Sequence, residues 1–81
     1  MDRLDYAILK VMLERCGAGS RITAATSKAI CSEMDMKVDT LYRRLLGLMD
    51  MGVICKGIKD RREHTYYVTE DGKTAFREVM E

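Results

Sequence analysis

Apolar residues recur along the chain with two different periods, and each change of period marks a boundary between elements. Across residues 2–15, Leu4, Ile8, Val11 and Met12 fall at helical spacing. Asp2 is a good N-cap, Asp5 places a carboxylate in the first turn, and Gly17 is a favourable C-cap residue. Tyr6, Leu9, Leu13 and Cys16 form a second apolar row beside the first, wider than one core face needs. Either this helix is buried between neighbouring elements, or Tyr6, Leu9 and Leu13 supply a dimer seam. Residues 21–23 read as a short extended segment, after which Thr26 or Ser27 caps a helix through Met34 with Ile30 and Met34 pointing inward. Asp35 falls where a tight turn between helices needs tolerance of positive φ. A third helix is predicted over residues 37–51, with Leu41, Leu45 and Leu48 on one side and Gly52 as its stop.

The period then shortens to two. Residues 53–56 and 65–68 read as strands, with Tyr66 and Val68 on one face and Tyr67 on the other. Thr69 caps a last helix whose apolar side is Ala75, Phe76, Val79 and Met80. Two short helices joined by a tight turn and followed by a hairpin predict an α+β, mostly helical winged helix-turn-helix fold. Its parts are a three-helix core, a two-stranded wing and a C-terminal helix. There is no proline, repeat or linker-like stretch, so one domain is expected over residues 1–81.

Composition narrows the classes. With 81 residues, 47% of them hydrophobic and 33% charged, the balance is that of an ordinary globular domain small enough to need every apolar helix face. No apolar run approaches the ~20 residues that span a bilayer, and Met1-Asp2-Arg3-Leu4-Asp5 lacks a signal-peptide layout. A cytoplasmic protein without a membrane partner is expected. Cys16, Cys31 and Cys55 are odd in number and include no Cys-x-x-Cys pair, so neither a disulfide framework nor a metal site is expected. The seven methionines read as fillers of irregular core gaps. One histidine, no glycine-rich phosphate loop and no paired carboxylates leave nothing for an enzyme or a bound cofactor to use.

A net charge of +1 does not announce nucleic-acid binding, so the case rests on where the cations lie. In a helix-turn-helix the second helix enters the major groove with its N-terminal residues nearest the bases. If Leu41 and Leu45 face the core, then Lys37, Asp39, Thr40, Tyr42, Arg43 and Arg44 become the candidate DNA-facing residues, with Gly47 leaving room for close approach. Arg can read guanine in bidentate fashion, and Thr can bond base or phosphate oxygens. Asp39 suits the helix dipole more than the groove. Adjacent arginines are also common on plain solvated faces. Between the strands, Lys59, Arg61 and Arg62 are the candidate wing contacts, with Lys56 and His64 beside them.

The stretch Thr40-Leu41-Tyr42-Arg43-Arg44-Leu45-Leu46-Gly47-Leu48-Met49-Asp50-Met51-Gly52-Val53-Ile54 resembles the recognition-helix pattern of the MarR and PadR families of bacterial winged-helix transcription regulators. Its Leu-Tyr step is the more PadR-like feature. Asp60-Arg61-Arg62 and the later Thr69-Glu70-Asp71-Gly72 are similar to the MarR wing and the helix start after it. The resemblance covers roughly residues 23–73. It implies that Asp60 orients the wing, that Arg62 is the arginine entering the minor groove, and that Tyr66 is core. Both families usually carry longer terminal helices framing an effector pocket, and Lys37 stands where a small capping residue is usual.

The expected function is therefore a DNA-binding transcriptional regulator acting on double-stranded DNA. A homodimer is expected, formed through the first helix, because one winged helix reads few bases. The alternative is a winged helix used as a protein–protein interaction module in a larger assembly, which the near-neutral charge and surplus apolar row support.

Overall fold

The computed structural model describes residues 1–80. Glu81 and the side chain of Met80, expected on the apolar side of the last helix, lie outside the described residues. Helix α1 (Arg3–Glu14) opens with a closed capping box. The Asp2 carboxylate accepts from the Asp5 N–H at 3.0 Å and the Asp5 carboxylate accepts from the Asp2 N–H at 3.2 Å. Beyond its end, the Ala18 N–H bonds the Met12 carbonyl at 2.7 Å, and the Ala18 carbonyl accepts from the Val68 N–H at 2.9 Å. That link carries the chain from the first helix onto the sheet.

Strand β1 is only Ala25–Thr26, two residues beyond the end of the extended segment expected at residues 21–23. The Ser20 hydroxyl lies 2.9 Å from the Thr23 hydroxyl and accepts from the Thr23 N–H at 3.3 Å. A hydroxyl that bonds the nearby backbone closes a turn in place of a ladder, which moves the strand downstream. Thr26 then caps α2 (Ser27–Met34), accepting from the Ala29 N–H at 3.2 Å. Asp35 follows at φ 52, the left-handed turn residue expected, and α3 (Val38–Asp50) begins three residues later. Strands β2 (Ile54–Lys56) and β3 (Thr65–Val68) make the hairpin, and α4 (Glu70–Met80) closes the chain. The sheet is antiparallel with order β1-β3-β2, and Cys55 faces Tyr67 in register.

The core is assembled from every element type. Ile8, Leu9 and Met12 of α1, Ile30 of α2, Leu41, Leu45 and Leu48 of α3, Ile54 of β2 and Val68 of β3 are fully buried. Alternation on β3 holds as expected, with Tyr66 and Val68 buried and Tyr67 half-exposed. Leu9 departs from the seam reading, because it is fully buried in the core. The second apolar row of α1 is thus mostly core, and half-buried Tyr6 and Leu13 pack against its edge. On α4, Phe76 packs against the core while Val79 is more than half exposed.

A small clamp fixes the hairpin to α4. Thr69 donates its hydroxyl to the Gly52 carbonyl at 2.7 Å, accepts from the Gly72 N–H at 3.1 Å, and bonds the Val53 carbonyl through its own N–H at 3.0 Å. A methyl at Gly72 would run into the Val53 carbonyl and a Val68 methyl. The sequence motif Thr-Glu-Asp-Gly is therefore a helix cap and a close backbone approach in one. Gly72→Ala is expected to lower stability by about 1–3 kcal/mol, the usual cost of overpacking, read as a lower urea midpoint at unchanged slope. An unchanged midpoint would show that the hairpin and α4 are free to separate.

Candidate nucleic-acid interface

Helix α3 has three kinds of flank. Leu41, Leu45 and Leu48 point into the core, as their spacing predicts. Lys37, Asp39, Thr40 and Arg43 are exposed on the side away from it. Arg43 has no carboxylate partner among the described residues, and no atom lies near the open face of Gly47. Lys37 caps the helix through its backbone alone, without a side-chain bond, so Asp39 is the one carboxylate answering the N-terminal dipole. Of the third flank, the sequence pointed only to Tyr42, as a DNA-facing candidate. Val38, Tyr42 and Leu46, spaced four residues apart, are each about half exposed and form an apolar row along α3.

Arg44 is the clearest difference from the sequence reading, which grouped it with Thr40 and Arg43. Its Nη1 lies 2.6 Å from Asp2 Oδ2 and 3.4 Å from Asp5 Oδ1. The guanidinium is turned toward the start of α1 because position 44 borders the core ridge rather than the middle of the outer face. The pair gathers the two carboxylates of the capping box onto one cation, so the first turn of α1 is tied to α3. Arg44 holds the Asp2 carboxyl below its ordinary range, mainly by hydrogen bonding, with the Asp5 backbone N–H adding to it. Arg44 is correspondingly raised by its bond to Asp2.

The wing is anchored at its base and tight at its tip. Thr65 donates its hydroxyl to the Ile58 carbonyl at 2.6 Å, and the Gly57 N–H bonds the Thr65 carbonyl at 2.9 Å. The Ile58 N–H reaches the Arg21 carbonyl at 3.3 Å, and a side chain at Gly57 would collide with Ala24. The loop before β1 thus braces the wing. At the tip, Asp60 and Glu63 exchange both backbone hydrogen bonds, at 3.1 and 3.0 Å, around the two-residue turn Arg61-Arg62. Lys59, Arg61 and Arg62 are all exposed there. The exposed His64 is held below its ordinary pKa by Lys56 first, then by partial desolvation and Lys59, so the positive field of the wing disfavours its charged form.

No protein-family model matches the chain, and no curated protein does. Two solved structures do. TubR from Bacillus megaterium pBM400 superposes with a TM-score of 0.84 at 21% identity, over 99% of this chain and 87% of that one. The solution structure of the DNA-binding TubR fragment from Clostridium botulinum superposes with a TM-score of 0.78 at 19% identity, over 98% and 96%. The fold is a winged helix-turn-helix. In its terms α2 and α3 are the helix-turn-helix pair, and β2 and β3 form the wing. Among the described residues no helix is long and apolar enough to cross a membrane.

The Arg44 bridge has a pH signature. The Asp2 carboxyl is depressed in the folded state, so its contribution to stability is present above the ordinary carboxylate pKa and is lost as pH falls through the depressed value. Wild type is expected to be the more stable at pH 6, and Arg44→Met should converge with it as pH falls below the ordinary carboxylate range. Parallel thermal-unfolding curves across that range would show that the bridge does not form in solution.

Proposed function

We propose that the chain is a DNA-binding transcriptional regulator. Helix α3 docks in the major groove, and the basic wing lies on the adjacent backbone or minor groove of duplex DNA. The observation that carries this reading is the orientation of α3. Its three leucines are buried so completely that Thr40 and Arg43 face solvent, with no carboxylate partner on the arginine among the described residues. The wing adds Lys59, Arg61 and Arg62, likewise outside any ion pair among the described residues. Arg44 is removed from the base-reading set, since its guanidinium is engaged by α1. The DNA-binding TubR fragment, which shares the fold, supports the same reading. Thr40 and Arg43 are assigned to base edges, Lys37, Tyr42 and Lys59 to phosphates, and Asp39 to helix stabilisation. The features that resemble MarR regulators, the wing and the Thr-Glu-x-Gly helix start, fit this role, which is that of a binder and not of a catalyst.

A second reading has one observation in its favour: the row Val38, Tyr42 and Leu46 is the kind of surface a protein partner covers. Salt separates the two. Duplex binding by a few phosphate contacts should weaken steeply between about 50 and 200 mM salt, whereas an apolar interface should not. Arg43→Ala is expected to cost about 1–3 kcal/mol of duplex affinity, roughly a 5- to 150-fold weaker Kd, measured by fluorescence anisotropy. Unchanged affinity in that variant, or salt-independent binding, would overturn the docking of α3.

Two copies are proposed to act together, because a single winged helix contacts too few base pairs for a useful specificity ratio. The α1 seam inferred from Tyr6, Leu9 and Leu13 loses Leu9 to the core, and what α1 presents is Tyr6 and Ala7 beside Val79 of α4, around an apolar depression of about 370 Å³. Light scattering at micromolar concentration is expected to give twice the chain mass. A monomer both free and on DNA would remove the dimer.

A further inference from the structure

Four residues among those described adopt positive φ: Gly17 at 63, Asp35 at 52, Gly52 at 78 and Arg61 at 61. Gly has no Cβ to clash there, and Asp is among the few side chains that tolerate the left-handed region. Arg61 has neither property. It is the first central residue of the two-residue turn closed by Asp60 and Glu63. Tight hairpin turns that match the twist of their strands require positive φ at that position, and glycine is the usual occupant. An L-residue there strains the backbone, and strain of this kind persists where something other than stability holds the residue in place.

The side chain does nothing visible for the fold. Its guanidinium forms no ion pair among the described residues, although Asp60 and Glu63 flank it in sequence. Nor does the site need Arg61 merely for charge. Lys56, Lys59 and Arg62 already supply cations on the wing from positions without positive φ. What Arg61 adds is a guanidinium at the apex of the turn, and a guanidinium is the group that a narrow, strongly negative minor groove favours.

We propose that Arg61, and not the Arg62 implied by family resemblance, is the wing residue that enters the minor groove, retained there at the expense of the turn's own stability. This rests on the duplex-docking reading and names the specificity-determining residue of its wing. The two duties pull in opposite directions, so one substitution should separate them. Arg61→Gly is expected to raise the unfolding temperature by roughly 4–8 °C, the response of a domain this size to relief of such strain. The same variant should bind a duplex of about 30 base pairs carrying a central A-tract at least ~10-fold more weakly, with a smaller loss on a G·C-rich duplex of equal length. Arg62→Ala should lose less than Arg61→Gly on the A-tract duplex.

The inference is overturned if Arg61→Gly melts lower than wild type. It is overturned equally if that variant keeps A-tract affinity within about twofold, if it loses equally on both duplexes as a phosphate contact would, or if Arg62→Ala loses more. Arg43→Ala measured alongside tells the two failures apart. If Arg43→Ala weakens binding and Arg61→Gly does not, α3 docking stands and the wing assignment falls. If wild type binds neither duplex at about 50 mM salt, duplex docking itself is wrong.

Discussion

The burial of Leu41, Leu45 and Leu48 is the constraint from which everything else in this molecule follows. Each sits fully inside the core on a helix that packs against α2 and β2, and truncating a leucine in such a place typically costs about 2–5 kcal/mol. A helix held by three such anchors cannot roll. Its outer face, its apolar flank and its Arg44 flank are therefore decided together by one choice of core residues. The exposed side chains of α3 need no anchoring of their own, and Lys37 begins the helix without a capping side chain.

The wing depends on a different kind of contact. Little of it is buried beyond its strands, so its direction is set by backbone bonds and close approaches at its two roots. The Thr69–Gly52 and Gly72–Val53 contacts fix it to α4, and the Arg21–Ile58 bond with the collision volume at Gly57 fixes it to the loop before β1. With the base fixed, the apex can carry a residue that fits its backbone poorly. The strained Arg61 and the cations without an ion pair among the described residues lie outside the leucine ridge and the clamp. A domain with one small core tolerates local strain only where no core contact depends on it.

The Arg44 bridge shows how the terminal helix takes part without contacting the outer face. Asp2 and Asp5 cap their own helix and hold a cation from α3 at the same time. The pair is partly exposed, so its contribution to stability is small and screened by salt. Its consequence lies in chemistry: an arginine that would add charge to the outer face is neutralised by α1. The basic character of α3 therefore comes from Lys37 and Arg43, set against Asp39.

Period and punctuation were enough to determine the order of elements, the leucine ridge, the left-handed turn at Asp35, the Thr69 cap and the alternation of Tyr66 and Val68. Each of these is a property of residues within a few positions of one another. The tertiary structure alone decided that Leu9 belongs to the core, that residues 21–23 turn before the strand begins, that Arg44 faces α1, and that Val38, Tyr42 and Leu46 are left uncovered. Those depend on which distant surface arrives beside a residue. A helical repeat tells which residues share a face, but a residue on the border between faces takes its role from whatever packs there, as Arg44 does from carboxylates some forty positions earlier in the chain.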